Sequence, residues 1–344
     1  MIDDNIQYEK PYISILTATY NRADLLPTLY RSLIENTKFN QKIEWLIMDD
    51  GSTDNTKQVV DSFLQDKYLS IRYFYQRNAG KMAAINKLTS YATGIFMMDV
   101  DSDDCLSNDA IFHIRENCFL IPNIYAFLFL KRDLDGKVIG DEFKEPGKST
   151  NIFSLTMEEE TDGERAIVFV SDIRKKYMHK LENGEKFVTE ARLYHELDKR
   201  YSVFPFNKTL QFCEYRPDGY TMNISKIFED NPFGYYYYFK ELLEFDYTNV
   251  SKEKRLYVIK HFILFTYITG KSLDLSTVKN GYMKFLIILL YIPGIITSKK
   301  RGYKKVDEKL ELESEIQDDS QKEKILEEFY KIAKRKIGDK KDDV

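Results

Sequence analysis

The chain has 344 residues, of which 43% are hydrophobic and 31% charged, enough for a packed core in one large domain with an extension or in two domains. The formal net charge of -4 at pH 7 argues against nucleic acid as the main partner. The three cysteines (Cys105, Cys118 and Cys213) lack the spacing of a metal site and indicate a reducing cytoplasm. Residues 1–10 are polar and acidic, which predicts no secretory signal.

In the first 120 residues, short apolar runs alternate with segments of helical periodicity. Strands are predicted at residues 12–19, 43–48, 69–75 and 95–98, and helices at 25–33, around 59–63, at 80–91 and at 110–120. This alternation is typical of βαβ units, so we expect an α/β fold with a Rossmann-like, mostly parallel sheet flanked by helices. Right-handed crossovers would bring residues 17–22, 49–54 and 99–104 to one edge of the sheet.

The strand at residues 95–98 runs into four carboxylates within six residues: Asp99, Asp101, Asp103 and Asp104. Like charges at this spacing repel one another. A divalent cation such as Mg2+ or Mn2+ relieves the repulsion, because hard cations prefer carboxylate oxygens. The cluster therefore predicts a metal site, and the alternative is a solvated acidic loop that caps the next helix.

Beyond residue 124 the alternation weakens. Strands are predicted at residues 124–130 and 166–170, with extended structure at 201–213. An amphipathic helix is expected to follow residues 184–191, and the chain is predicted to be helical from Tyr235 onward.

Residues 285–296 are the most apolar stretch, but they number only a dozen and include Pro293 and Gly294. A helix that spans a membrane needs about 20 apolar residues, so no membrane-spanning helix is expected. A basic cluster follows directly and consists of Lys299, Lys300, Arg301, Lys304 and Lys305. The stretch at 283–305 therefore predicts an in-plane anchor on an anionic membrane, and the alternative is a core helix with a basic end.

Three motifs each follow a predicted strand: Thr19-Tyr20-Asn21-Arg22, Asp49-Asp50-Gly51-Ser52-Thr53-Asp54 and Asp101-Ser102-Asp103-Asp104. Together and in this order, they make the chain resemble the family 2 glycosyltransferases over roughly residues 11–130. The resemblance implies a GT-A fold with a helical C-terminal extension. The implied organisation is a catalytic domain at 1–225, with a nucleotide-sugar-binding half (1–120) and an acceptor-binding half (121–225), then a helical extension at 226–306 and a charged tail at 307–344.

The resemblance also implies a set of donor-binding residues, namely Thr19, Tyr20, Arg22, Asp50, Asn78, Gly80, Lys81, Asp101 and Ser102. Asp50 would accept a hydrogen bond from a uracil ring, and its alternative role is a helix N-cap. Lys81 would face phosphate at a helix N-terminus, where amide groups and the helix dipole favour anions; its alternative is an ordinary surface lysine. Asp103 would ligate Mn2+ or Mg2+, and Asp101 would bind the metal or the ribose, with Asp99 and Asp104 as second choices.

Glycosyl transfer needs a general base to take the proton of the acceptor hydroxyl. By resemblance Glu190, at the start of a predicted helix, matches the position of this base, and Glu185 is the second choice. A carboxylate at a helix N-terminus stays ionised, as a base must. The alternative is a helix-start carboxylate with no reaction to catalyse. Asp103 and Glu190 are thus the predicted catalytic residues.

On this resemblance we expect an inverting, metal-dependent glycosyltransferase of the hexosyltransferase type. Its donor would be a nucleotide sugar, in the first place a UDP-sugar. Its acceptor would be a glycan on a lipid carrier, made for a capsule or another polysaccharide at the inner face of the cytoplasmic membrane. The sequence specifies neither the sugar, nor the acceptor hydroxyl, nor the linkage, nor the oligomeric state.

Two other functions compete with this one. A nucleotidyltransferase would share the nucleotide-binding sheet and the paired carboxylates, but its Gly-rich basic loop after the first strand is not found at Thr17–Arg22. A non-catalytic scaffold on the same fold is the second alternative. The intact carboxylates at positions 50, 101, 103 and 190 argue against such a loss of activity.

Overall fold

The computed structural model describes residues 11–39, 41–65, 69–182, 184–213 and 224–306. The chain divides into two compact units: unit 1 comprises Met1–Met222 with Asn249–Ser251, and unit 2 comprises Asn223–Thr248 with Lys252–Val344. The domain boundary that we predicted at residue 225 stays a prediction. The predicted charged tail at 307–344 lies outside the described residues.

Unit 1 is built on one eight-stranded sheet. Its strands are β1 (Ile13–Thr19), β2 (Ile43–Asp49), β3 (Ser70–Tyr75), β4 (Phe96–Asp99), β5 (Cys105–Leu106), β6 (Ile124–Asp133), β7 (Arg165–Val170) and β8 (Ser202–Cys213). Their order is β3-β2-β1-β4-β7-β6-β8-β5. The first four of these are mutually parallel, β7 is antiparallel to β4 and β6, β8 is parallel to β6, and β5 is antiparallel to β8. The predicted α/β fold is confirmed, and the sheet is uniformly parallel only across its first half.

Helices cover both faces of this sheet. In unit 1 they are α1 (Leu26–Asn36), α2 (Thr56–Phe63), α3 (Lys81–Tyr91), α4 (Ala110–Asn117), α5 (Ser171–Arg174) and α6 (Glu190–Asp198), with one 3-10 turn at Thr37–Phe39 and one π-helical turn at Ser154–Glu158. Alternate residues of a strand point to opposite faces, so Trp45 packs in one core cluster and its neighbour Leu46 in the other. Because both faces are covered, β2 is buried along its whole length.

The described residues of unit 2 are mainly helical, as predicted for the extension. Its helices are α7 (Ile224–Asp230), α8 (Pro232–Leu242), α9 (Lys252–Ile268) and α10 (Gly281–Lys300). The apolar stretch at 285–296 forms the middle of α10, which has 20 residues and continues through Pro293. By length and composition alone, α10 is the one helix in the described part of the chain that is long and apolar enough to cross a membrane.

Candidate active site

The polar segments after β1, β2 and β4 meet at one edge of the sheet, as the sequence predicts. The Thr53 amide donates to Asn21 Oδ1 at 2.8 Å, which ties the loop after β1 to the loop after β2. Asn21 makes this contact with a positive φ of 52°, a conformation that Asn tolerates better than most residues. Arg22 Nη1 lies 3.1 Å from Asp103 Oδ2 and so links the loop after β1 to the acidic cluster.

The Asp-Asp-Gly-Ser turn uses its two carboxylates differently. Asp49 closes the turn itself, because its Oδ1 accepts from the Ser52 amide at 2.7 Å. Asp50 is 4% exposed and reaches the start of α3, where it accepts from the amides of Ala79 and Gly80, both at 2.8 Å. Asp50 therefore braces the loop before α3 and does not cap α2. Its predicted contact with uracil stays a prediction.

Three members of the acidic cluster are each paired with a different basic side chain. Asp101 lies 2.7 Å from Lys81 Nζ, and Asp103 is paired with Arg22. Asp104 is buried against Lys131 Nζ at 3.2 Å, and burial raises the pKa of this carboxyl to about 6 although Lys131 opposes the shift. Asp101 and Asp103 thus remain at the partly exposed edge, with side chains 41% and 23% exposed, whereas Asp104 points into the protein.

Lys81 joins the acidic cluster to Glu190. Its Nζ lies 3.1 Å from Glu190 Oε1 while it also contacts Asp101. Burial disfavours the charged form of Lys81, but the charges of Asp101 and Glu190 prevail and raise its pKa above the ordinary value. In return, the Lys81 charge lowers the pKa of Glu190 to about 2. Tyr194, one helical turn further along α6, donates its hydroxyl to Glu190 Oε2 at 3.2 Å.

The segment that carries Glu190 is docked on α3. Asn86 of α3 makes two hydrogen bonds to the backbone of His179, at 2.8 and 2.9 Å. Lys186 Nζ donates to Asn78 Oδ1 at 2.8 Å. Gly80 has a φ of +91°, and a Cβ added there would lie 2.0 Å from the Lys186 carbonyl oxygen. Asn78 and Gly80, predicted as donor-binding residues, therefore also hold this segment in place.

Sequence reasoning did not identify two basic side chains that are buried in the same region. Arg174 is 1% exposed and His179 is 5% exposed. Arg174 Nε and Nη2 and both ring nitrogens of His179 have no hydrogen-bond partner among the described residues. Burial lowers the pKa of His179 to about 3, so its imidazole is neutral at pH 7. No local motif marks either residue, because each reaches the site through the fold.

The remaining predicted residues also lie at this edge. Thr19 is 3% exposed and Ser102 is 7% exposed, whereas Tyr20 presents 47% of its surface to solvent. In the described part of the chain, no group of three or more His, Cys, Asp or Glu side chains is arranged to hold a metal ion. Asp101 and Asp103 thus offer a pair of carboxylates at this edge.

Residues 14–117 match the model of the family described as glycosyl transferase family 2. A glycosyltransferase of Mycoplasma pneumoniae is 34% identical over 101 residues, which are 29% of this chain and 34% of that protein. The chondroitin synthase of Pasteurella multocida is 33% identical over 110 residues, which are 32% of this chain and 11% of that protein. The similarity thus spans about a third of the first relative and about a tenth of the second.

Two solved structures share the architecture. The 1-349 fragment of TarS from Staphylococcus aureus, in complex with UDP-GlcNAc, has a TM-score of 0.52 at 19% identity and covers 83% of this chain and 79% of its own. The mannosyltransferase PcManGT from Pyrobaculum calidifontis, in complex with GDP-Man and Mn2+, has a TM-score of 0.51 at 15% identity and covers 86% and 85%. The chain therefore carries a glycosyl transferase family 2 domain in residues 14–117, built on a GT-A fold.

Proposed function

We propose that this chain is an inverting, metal-dependent glycosyltransferase that moves a sugar from a nucleotide sugar to a hydroxyl of a glycan acceptor. The observation that carries the proposal is the Lys81 bridge: one ammonium group joins Asp101, at the end of β4, to Glu190, at the start of α6. Asp101, the carboxylate proposed to serve the donor, and Glu190, the carboxylate proposed as base for the acceptor, thus lie on either side of the Lys81 ammonium group. A scaffold that bound no donor would have no need for this arrangement.

A UDP-sugar is the proposed donor, and a lipid-linked glycan is the proposed acceptor. The TarS structure in complex with UDP-GlcNAc supports a nucleotide-sugar donor. The chondroitin and hyaluronan synthases of Pasteurella multocida support a role in polysaccharide synthesis. We place the chain at the inner face of the cytoplasmic membrane.

The two carboxylates at the site are suited to bind a divalent cation together with the diphosphate of the nucleotide sugar. Asp101 and Asp103 would hold it, as Mg2+ is commonly held by one or two carboxylates with substrate phosphates and water. Its charge would stabilise the negative charge that develops on the leaving diphosphate. The complex of PcManGT with Mn2+ supports Mn2+ as the first cation to test.

Glu190 is the proposed general base. With Lys81 beside it, its pKa of about 2 makes it ionised but weakly basic. A donor diphosphate competes for the Lys81 ammonium, and its binding would raise the pKa of Glu190 toward the ordinary 4.5. The Glu190 carboxylate then accepts the proton of the acceptor hydroxyl as that oxygen attacks the sugar C1 and the bond to the diphosphate breaks.

The test is hydrolysis of a panel of nucleotide sugars by the purified chain, with Mn2+, Mg2+ or EDTA and with or without a lipid extract. We expect release of nucleoside diphosphate from one donor, dependent on the cation and accelerated by an acceptor in the extract. Release of pyrophosphate from a sugar phosphate and a nucleoside triphosphate would instead favour a nucleotidyltransferase. Absence of turnover under every condition, whether or not nucleotide binds, would favour the scaffold.

A further inference from the structure

One face of α10 is apolar and exposed along most of the helix. This apolar stripe consists of Phe285, Ile288, Leu289, Ile292 and Ile296, whose side chains are between 48% and 67% exposed. At 100° per residue they fall within roughly a third of the helix circumference. Scattered exposed apolar residues are ordinary on soluble proteins, whereas a continuous stripe marks an interaction surface.

The opposite face of α10 is already occupied within unit 2. Met283 and Ile287 are fully buried there. Gly294 approaches α9 so closely that an added Cβ would lie 2.8 Å from Ile263 Cγ2. Helix α9 begins with four charged residues, Lys252–Arg255. If α10 crossed a bilayer, it would either leave this packing or take α9 into the lipid, and charged groups in lipid are costly.

A basic end follows the stripe, consisting of Lys299, Lys300, Arg301, Lys304 and Lys305. Within residues 299–305 five of seven residues are basic and none is acidic, although the whole chain carries a formal net charge of -4. Lys299 and Lys300 extend along the same side of α10 as the stripe, given the helical repeat. This positive charge complements the anionic headgroups of a lipid surface, and a protein partner would not require it.

We propose that α10 lies in the plane of an anionic membrane, with its apolar stripe in the acyl boundary and its basic end on the headgroups. The apolar stripe and the basic end explain how the chain would reach the membrane. The membrane proposal therefore depends on α10 and not on the transfer reaction. The proposal and the reaction can therefore fail separately. Binding is to be measured with both the full wild-type chain and Asp103→Asn, and the two are expected to bind vesicles equally.

The experiment is flotation with vesicles of phosphatidylcholine alone or with one third phosphatidylglycerol. We expect binding to the anionic vesicles, weakened between about 0.1 M and 1 M salt as charges are screened. The triple variant Ile288→Ser/Leu289→Ser/Ile292→Ser is expected to bind at least about 30-fold more weakly. Replacing Lys299, Lys300, Lys304 and Lys305 by Gln is expected to cost about 100-fold on anionic vesicles only.

Matched controls remove the same kinds of side chain from unit 1. Leu120 and Leu134 are 67% and 64% exposed, so Leu120→Ser/Leu134→Ser controls for the loss of surface apolarity. Lys137→Gln/Lys176→Gln controls for the loss of exposed positive charge. Both control variants are expected to bind vesicles like the wild type. Equal weakening by a control and its stripe or basic-end counterpart would overturn the proposal.

The depth and orientation of α10 show whether this helix lies in the plane of the membrane or crosses it. The one tryptophan, Trp45, is fully buried, so Phe285→Trp introduces a reporter whose emission shifts when the stripe enters lipid. We expect a blue shift with anionic vesicles and complete release from membranes at alkaline pH. Retention after alkaline extraction would mean a spanning helix. A lipid-free dimer that the triple serine variant dissociates would identify a second copy as the occupant, and either result would overturn the proposal.

Discussion

In the half of unit 1 that is predicted to bind the donor (residues 11–120, the donor half), the loops that follow β1, β2 and β4 hold one another directly. Arg22 reaches Asp103, and Asn21 reaches Thr53, over short loops whose residues are motifs in the sequence. In the half that is predicted to bind the acceptor (described residues within 121–213, the acceptor half), Glu190 lies on a segment that is docked onto α3 and the loop before it. Lys81 joins the two halves at the candidate site, because its Nζ contacts both Asp101 and Glu190.

The loops after β1 and β2 are thus held by contacts within the donor half, whereas the segment that carries Glu190 is held by contacts across the two halves. Short loops at the carboxyl ends of parallel strands are close in space by topology alone. Glu190 is held within its own half by the Tyr194 hydroxyl, and across the two halves by Lys81. Changes in the two halves should therefore have different consequences for donor binding and for turnover.

The largest effect is expected in the donor half. Asp103→Asn removes one of two carboxylates available to a cation, and we expect kcat/KM to fall at least about 100-fold with a rise in the cation concentration needed. Steady-state release of nucleoside diphosphate measures this. Asp135→Asn changes an exposed aspartate of a turn and should match the wild type. Equal activity of Asp103→Asn would contradict the proposed role.

A somewhat smaller and kinetically distinct effect is expected in the acceptor half. Glu190→Gln cannot accept a proton, so we expect kcat to fall about 100-fold while the donor KM stays within about threefold. Glu185→Gln tests the second choice, which lies in the loop before α6, and should retain activity. If Glu185→Gln is the inactive variant instead, the base is Glu185.

The junction itself can be disturbed without changing a charge. Gly80→Ala would place a methyl group against the Lys186 carbonyl oxygen at 2.0 Å, in a backbone conformation with φ of +91°. We expect the free energy of unfolding to fall by about 3 kcal/mol, with loss of turnover. Gly136→Ala shares a positive φ of +83° but meets no atom within 4 Å, so a loss of about 1 kcal/mol is expected. Urea unfolding compares the two, and equal losses would argue against the close approach.

The smallest effect concerns how the acceptor half holds a buried carboxylate. Asp198 accepts from Tyr125 Oη at 3.0 Å and from the Phe153 amide at 2.9 Å, and burial raises its pKa from 3.8 to about 6. Between these two values the folded state retains a proton that the unfolded chain releases. Stability from this group is therefore present below pH 3.8 and is lost as pH rises through 6.

The amide of Asp198→Asn cannot titrate. Between pH 4 and pH 7 the free energy of unfolding of this variant should therefore fall by about 2 kcal/mol less than that of the wild type. Thermal or urea unfolding from pH 4 to pH 7 gives the two slopes. Asp135→Asn, at an exposed turn, serves as the control and should keep the wild-type slope. Parallel slopes for Asp198→Asn and wild type would contradict the assignment.

The sequence by itself determined β1, β2, β3 and β4, their parallel direction and the edge at which the carboxylates gather. Asp101 and Asp103 are recognisable because they follow a buried strand directly, and a βαβ topology leaves little freedom for where such residues go. The parallel pairing of these strands confirms the predicted sheet, and the match of residues 14–117 to the glycosyl transferase family 2 model confirms the family resemblance. Dense apolar positions also predict helix from Tyr235 onward, but not α7.

Only the tertiary structure decided which partner each side chain has. The sequence placed Lys81 near phosphate, but not between Asp101 and Glu190, and it gave Asp50 no contact with the start of α3. Arg174 and His179 belong to no sequence motif. The fold brings them to the site, where both are buried. Long-range packing sets such contacts, because a side chain's partner depends on elements that are distant in the chain. Periodicity and short motifs report only on local structure.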